Sequence, residues 1–503
     1  MIEENKSSMK NSVRRLVIAG IGVLIQIIWV VVLVMRLNQY SQIITLLTVA
    51  IELVLVLAVY SMDTNAAFKL PWIILITVAP IVGICVFFLF GRSGATKKVR
   101  TRYRKIDQQL FAYLNQDEQI IEELSKKDER LANDFKYLWK CASSPVYKNT
   151  DVKYYGDTCD AMAAQLEDMM KAKQFIFLEY HAIEMAESFQ ALRKVLMAKA
   201  REGVEIRILY DDAGCIGFLN PRFIKYMESM GIQCRVFNPI MPVLNIFMNN
   251  RDHRKITVID GRVAYTGGYN LADEYFNITH PYGQWKDSGI RFEGDAVQTA
   301  TILFLEMWNA LKEQDVDIEK YLPVYPYKAK EQGFFALYGD SPLDKEPAGE
   351  NVYMNLLRHA KKYIYFTTPY LILSDEMTRE LTGAAKRGVD VRIITPGIPD
   401  KKTIFQVTKS YYPQLLKHGV KIYEYTPGFM HEKQCICDGE IVVVGTINLD
   451  FRSLYLHFEN AALFCGYEAV SHVKEDFDAL FPICKDMSKE PSERTRRLRL
   501  SQL

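Results

Sequence analysis

The chain opens with three long apolar runs and then changes character. Leu16–Met35 carries no charge, Ile43–Met62 carries only Glu52, and Leu70–Phe90 carries none. Each has the roughly 20 residues that a helix rising 1.5 Å per residue needs to cross a ~30 Å hydrocarbon core. The pattern therefore predicts N-terminal transmembrane helices, two or three of the runs crossing fully and one left open to a tilted, re-entrant or interfacial course, with Trp72 at an interface-like end and Pro80 tolerated in mid-span. Beyond residue 105 short apolar segments alternate with amphipathic ones. FIFLEY from Phe175 reads as a strand, SFQALRKVLMAKAREG as a helix with apolar positions three and four apart, and VEIRILY and CRVFN as further strands. That order predicts βαβ units around a mostly parallel, buried sheet.

The second half of the chain repeats the first. Tyr155-Gly156-Asp157-Thr158 recurs as Tyr338-Gly339-Asp340-Ser341, FIFLEY as YIYFTTPY from Tyr363, GVEIRIL from Gly203 as GVDVRII from Gly388, and GIQCRVFNP from Gly231 as GVKIYEYTP from Gly419. Ordered self-similarity of this kind predicts two α/β lobes related by a pseudo-twofold axis. The organisation read from it is a membrane domain over 1–91, a basic juxtamembrane and helical linker over 92–140, a first lobe over 141–321, a linker over 322–337 punctuated by Pro323, Pro326 and Gly333, and a second lobe over 338–503.

Each half then carries one H-x-K-x4-D-G motif: His253, Lys255, Asp260 and Gly261 in the first, His431, Lys433, Asp438 and Gly439 in the second. A single copy is weak evidence, but two at equivalent places of a duplication are not. Residues two apart on a strand share a face, so each half projects an imidazole and an ammonium together. The Asp-Gly pairs have the composition of tight hairpin turns, which leaves each Asp between an orienting role and direct chemistry. After the hairpin's return strand come Gly267-Gly268-Tyr269-Asn270 and Gly445-Thr446-Ile447-Asn448, small polar loops whose backbone N–H groups could approach phosphate oxygens. A twofold would bring two His and two Lys to one interface, enough for a nucleophile, a general acid and charge neutralisation. Neither clustered carboxylates nor H-E-x-x-H nor a P-loop is present, so no metal or other cofactor is expected. His181, His280, His359, His418 and His472 lack the partnered lysine and read as surface or packing residues, while His457, close to Glu459, reads as a possible support.

Charge changes the picture in one respect. The whole chain is +2, yet residues 1–105 carry thirteen basic and four acidic residues, a net +9, and the remainder is −7. Seven cations from Arg92 to Lys105 stand without an acid directly after the third apolar run, which by the positive-inside bias places the large C-terminal body in the cytoplasm. The same cluster suits an anionic lipid surface. The net −7 of the catalytic body argues against a nuclease, which needs a basic stripe, so no nucleic-acid partner is expected. Nine cysteines without dense spacing argue against a disulfide scaffold, and Cys435-x-Cys437 reads as alternate residues of one strand.

At these motifs the chain resembles the phospholipase D superfamily, and within it the bacterial cardiolipin synthases. The resemblance rests on the duplicated motif, NAAFKLPWIILITVAPIVG in the third run, GGYNLADEY, WKDSGIRFEGDAV from Trp285, and GTINLDFRSLYLHFEN. Gly289 stands where many relatives have His, and the tail RTRRLRLSQL is basic where an apolar end is usual. The resemblance implies two phospholipase D-like α-β-α lobes behind transmembrane helices in a bacterial inner membrane. It implies conversion of two phosphatidylglycerols to cardiolipin and glycerol through a phosphatidyl-histidine, with the first-motif His253 as nucleophile by analogy. It also brings Asn270, Asp273, Asn448, Asp450, Arg452, Ser453 and Glu459 to the site or its support. A membrane-bound phospholipase D using water as acceptor would need the same residues. The apolar excess of the first half, within Ile240–Asn250, is expected to border a lipid entrance.

Overall fold

The computed structural model describes residues 42–62, 64–88, 97–219, 222–240, 249–312, 315 and 317–489, with scattered helical positions between 17 and 36. The basic tail and most of the 240–250 segment, with Leu244, Ile246 and Phe247, lie outside these residues.

Two sheets organise the body. The first lobe contributes β1 (Thr150–Tyr155), β2 (Phe175–Tyr180), β3 (Glu205–Asp211), β4 (Gln233–Phe237), β5 (Arg251–Asp252), β6 (Lys255–Ile259), β7 (Val263–Gly267), β8 (Gln284–Lys286) and β9 (Gly289–Gly294). The second contributes β10 (Phe334–Asp340), β11 (Tyr363–Thr367), β12 (Asp390–Pro396), β13 (Lys421–Tyr425), β14 (Gly428–Met430), β15 (Gln434–Cys437), β16 (Ile441–Gly445), β17 (His457–Cys465) and β18 (Cys484–Asp486). The first sheet runs β1-β9-β7-β6-β2-β3-β4 and the second β10-β17-β16-β15-β11-β12-β13-β18, so the duplication reappears as one strand order used twice. The expectation of mostly parallel sheets is corrected: β2, β3 and β4, like β11, β12 and β13, are parallel, while every other pairing within these two orders is antiparallel. The Asp-Gly hairpins are the physical reason for part of this, since a two-residue turn can join only antiparallel neighbours. Asp260 and Asp438 both hold φ 53, with Gly261 and Gly439 at 63 and 72, the left-handed pair that such a turn requires.

The lobes share one core. Phe292 of β9, Phe335 of β10 and Phe464 of β17 stack in series across the junction, with ring centroids 4.9 and 6.1 Å apart. Helix α5 (Val297–Leu311) is buried along almost its whole length. Two small parallel ladders also join the halves, β5 to β17 and β14 to β8. The segment before each motif histidine is therefore stitched to the opposite lobe.

The N-terminal helices differ from the expectation. Among the described residues no helix is long and apolar enough to cross a membrane. The second run forms α1 (Gln42–Tyr60), with Leu46, Leu53, Val54 and Leu57 exposed. The third run, with the length of one span, is two helices, α2 (Ala66–Val78) and α3 (Pro80–Val86), broken at Ala79 with φ −136 and ψ 72. Pro80 disfavours helical backbone in the residue before it. The two pieces fold back on each other: Trp72 meets Phe87 edge-on at 5.6 Å, and a Cβ on Gly83 would lie 2.5 Å from the Ile76 Cα. The basic segment forms α4 (Lys97–Leu110), which buries Tyr103, Ile106 and Leu110 in the shared core. Tyr103 stacks on Phe458 of β17 at 5.3 Å.

Candidate active site

His253 lies between β5 and β6, and its backbone N–H donates to the Phe458 carbonyl of the other lobe at 2.9 Å. His431 follows β14, and its N–H donates to the Lys286 carbonyl at 2.8 Å. Both motif histidines are thus positioned by main-chain bonds across the lobe junction. Their rings are buried and each is pinned by a carboxylate from the opposite half. Nδ1 of His253 donates to Oε2 of Glu459 at 2.8 Å, and Nδ1 of His431 donates to Oδ2 of Asp287 at 2.5 Å. An ionised carboxylate only accepts, so the nitrogen facing it carries the proton and Nε2 keeps a lone pair. Two imidazoles held in this tautomer can serve one as nucleophile and one as proton carrier.

Burial sets their charge. Desolvation pushes His253 down to about 3 against the pull of Glu459, and His431 down to about 4 with the help of the Lys433 charge. Both rings are therefore neutral near pH 7. Lys255 is pushed down to about 8 and Lys433 to about 7, chiefly by burial. The charge of Lys255 adds to the lowering of both His431 and Lys433, so the two motifs occupy one electrostatic site. Burial alone would raise Glu459, but its coupling to His253, which donates to it at 2.8 Å, and the nearness of His457 at 3.6 Å hold it well below the usual carboxylate range. Lys255 Nζ donates to the His253 carbonyl at 2.7 Å, and Lys433 Nζ donates to the His431 carbonyl while lying 2.6 Å from its Nδ1.

The supporting residues divide. Glu459, wholly buried, accepts from His253, from the Thr446 hydroxyl and from Ser453 Oγ at 2.6 Å. Ser453 Oγ in turn accepts from the Asn448 N–H at 2.8 Å, and the Asn448 side-chain oxygen is buried without a partner. Gly268 is the space into which Asp287 reaches, since a Cβ there would sit 2.0 Å from Asp287 Oδ1. Asn270 is closed locally, accepting from the Ala182 N–H and donating to the Tyr275 hydroxyl. Asp450 caps α6 (Phe451–Leu456) by accepting from Arg452 and Ser453 N–H groups, and the Arg452 Nε lies 3.5 Å from His457 Nε2.

Two expectations are corrected, and Asp273 is placed as a structural support. Asp260 and Asp438 stand outside the site, past the far ends of β6, which Lys255 begins, and β15, which Lys433 immediately precedes. Asp260 accepts from the N–H groups of Lys173, Gln174 and Phe175 at 2.7–2.9 Å, and Asp438 accepts from those of Lys361, Lys362 and Tyr363 at 2.7–2.9 Å. A turn residue at the end of a strand is one strand length from the residues that open it. Asp273 caps the helix Glu187–Arg201 from outside by accepting from Ser188 N–H at 2.8 Å. The loop N–H groups expected to meet phosphate are already spent: that of Gly268 on the Ser288 carbonyl and that of Thr446 on the Asn460 carbonyl.

Sequence reasoning missed Asp287 and His181. Asp287 is recognisable only from the strand pairing, in which Gly267 pairs with Gly289 and Gly445 with Ala461, so that Asp287 is the counterpart of Glu459. His181 packs 5.0 Å from the His253 ring, its Nδ1 2.7 Å from the Asp252 carbonyl; no repeat marked it, since Pro369 is its counterpart. Ligand atoms of His253, His457 and Glu459 lie within 4.8 Å of one another, the spacing of a cation site, although two of the three already bond each other. Cys435 and Cys437 are buried free thiols in β15.

The family model for the cardiolipin synthase phospholipase D-like domain matches residues 166–308 and 353–481. A cardiolipin synthase of Halalkalibacterium halodurans is 32% identical over 88% of this chain and 87% of its own. Cardiolipin synthase 2 of Bacillus anthracis is 31% identical over 84% of this chain and 81% of its own. An uncharacterised protein of Streptococcus mutans is 41% identical over 84% of this chain and 91% of its own. Among solved structures, phosphatidylserine synthase of Haemophilus influenzae superposes with a TM-score of 0.55 at 12% identity, over 73% of this chain and 95% of that one, a likeness of fold.

Proposed function

Because the chain belongs to the bacterial cardiolipin synthases of the phospholipase D superfamily, we propose that it is a phosphatidyltransferase that joins two phosphatidylglycerols into cardiolipin and glycerol. The observation that carries the reading is the pair of buried, neutral imidazoles, each with Nδ1 tied to a carboxylate of the other lobe and Nε2 left to react. The reacting form carries a second proton on His431 Nε2, favoured by Asp287 and by the bound phosphate anion. In the first step His253 Nε2 attacks the phosphorus, the bond from phosphorus to the headgroup glycerol breaks, and His431 gives up that proton to the departing oxygen and becomes neutral. In the second step His431 takes the proton from a hydroxyl of the second phosphatidylglycerol, whose oxygen displaces His253 and frees it. Glu459 steadies the positive charge that His253 acquires when it is phosphorylated, and Asp287 does so when His431 is protonated. Lys255 and Lys433 neutralise the phosphate oxygens at a desolvated position, where a charge counts for more than in water.

The exposed apolar side chains of α1 and α2 support placement of the N-terminal segment in a bacterial membrane, with the basic α4 against its anionic surface. The test is incubation of the detergent-solubilised protein with phosphatidylglycerol vesicles and EDTA, lipid products being resolved by mass spectrometry beside His253→Ala and His431→Ala. Cardiolipin and glycerol, insensitive to EDTA and lost in both variants, are expected. Phosphatidic acid in place of cardiolipin would make water the acceptor and the protein a hydrolase with the same site.

A further inference from the structure

Helices α2 and α3 run antiparallel. Trp72 meets Phe87 and Ile76 meets Gly83, and both pairs are centred between residues 79 and 80. The chain that leaves along α2 has therefore returned to the level of Trp72 by Phe87. The turn keeps main-chain partners: the Ala79 N–H donates to the Leu75 carbonyl at 3.1 Å, the Ala79 carbonyl accepts from the Gly83 N–H at 2.6 Å, and Pro80 brings no N–H to satisfy.

Both ends of this hairpin are fastened to the body. Before it, the Asn65 side chain donates to Glu376 at 3.2 Å and to the Tyr455 hydroxyl at 3.4 Å, and Phe68 packs edge-on against Phe451 and Tyr455 of α6 at 5.5 and 5.7 Å. After it, α4 lies in the shared core through Tyr103, Ile106 and Leu110. A segment that starts and ends on one body has both ends on one side of any bilayer that body rests against.

Its two ends differ in chemistry. At the open end stand Trp72 and Lys69, whose Nζ donates to the Tyr60 carbonyl at 3.1 Å, residue types that suit a membrane–water boundary. The exposed cations Lys98, Arg104 and Lys105 of α4 follow. Towards the closed end, residues 73–86 carry no charge. Leu70, Ile74 and Val78, four apart and so on one side of α2, are exposed, while Ile76 is buried with Leu55 and Val59 of α1 and with Phe87. From Lys69 to Ala79 a helix rises roughly 15 Å, about half of a ~30 Å hydrocarbon core.

We infer that residues 66–86 form a re-entrant hairpin that enters the leaflet nearest the body, turns at Ala79 and Pro80 inside the bilayer and leaves on the side it entered. Its partner is the acyl layer of that leaflet, with anionic headgroups against α4. This reading rests on the membrane placement proposed above and adds to it a depth and a side: the third apolar run contributes no crossing to the topology of the chain.

The test uses the full chain in sealed right-side-out and inverted membrane vesicles, with Ser61→Cys or Lys98→Cys introduced singly at exposed positions on either side of the hairpin. A membrane-impermeant maleimide is added and the modified peptides are identified by mass spectrometry, the exposed Cys159 marking the side of the body. Both introduced cysteines are expected to react in the vesicles in which Cys159 reacts, and neither in the other orientation. Reaction from opposite faces, with the protein retained in the membrane, makes the third run a full span and overturns the hairpin while the membrane placement stands. Release of the whole chain by alkaline carbonate overturns that placement and the hairpin with it. A second measurement is independent of orientation: Trp72→Cys with Phe87→Cys, joined by a short bis-maleimide. These positions are roughly 22 Å apart along one straight helix and neighbours in the hairpin, so an intramolecular bridge is expected, and its absence from a chain in which each cysteine reacts alone overturns the hairpin.

Discussion

Around His253 the neighbours are two more imidazoles, His181 and His457, at 5.0 and 5.6 Å. Around His431 they are Tyr275, Trp285 and Phe429, at 5.2, 5.0 and 5.7 Å. The two half-sites nevertheless share every feature that sets the proton on Nδ1: a main-chain bond to the opposite lobe, a buried carboxylate from that lobe, and a lysine two residues on. Duplication has preserved the part of the site that depends on backbone register. The side chains around it have diverged, leaving one imidazole among groups that can exchange protons and the other in an aromatic box. Equal tautomers with unequal surroundings are what a two-step transfer needs, because the nucleophile and the proton carrier face different demands from the same scaffold.

The strongest way to break this comparison is to remove either histidine. His253→Ala and His431→Ala should each lower cardiolipin formation by about 10⁴-fold or more, and mass spectrometry of His431→Ala quenched in denaturant at neutral to alkaline pH should show any trapped phosphatidyl group on His253. A trapped adduct on His431 in His253→Ala would reverse the assignment. Next come the carboxylates. Glu459→Gln should cost about 100-fold in kcat and Asp287→Asn about tenfold, since Glu459 also anchors Thr446 and Ser453; equal losses would show that the extra bonds do not matter.

A smaller effect separates the lysines by pH. Lys433, pushed down to about 7, loses its charge as the pH rises through that value, and phosphate binding weakens with it, giving the rate an alkaline limb. Lys433→Arg keeps its charge at every accessible pH, so the limb should move up to about 8, where Lys255 loses its charge, while Lys255→Arg leaves it near 7. The smallest effect on activity is expected from Asp260→Asn and Asp438→Asn. Each should lower stability by about 1–3 kcal/mol through lost N–H acceptors, read by thermal unfolding, with kcat changed less than about twofold. A collapse of kcat at unchanged stability would return these aspartates to the chemistry.

The α/β duplication was legible because strand and helix periods recur in order, and the repeated H-x-K marked His253 and His431 as counterparts. Asp273 could be read only as site or support, because a carboxylate capping a helix and one facing a ligand have the same local sequence. The third apolar run was left between a full span and a re-entrant course because composition reports hydrophobicity but not the break that Pro80 forces at Ala79.

By itself the sequence determined the two-lobe α/β plan, the paired His-Lys motifs and their Asp-Gly turns, all of which follow from spacing within a few residues. Only the tertiary structure decided that Glu459 serves His253 and Asp287 serves His431. Those contacts span 206 and 144 residues and exist because a shared core and two parallel ladders press the lobes together, a long-range consequence of burial that no local pattern encodes.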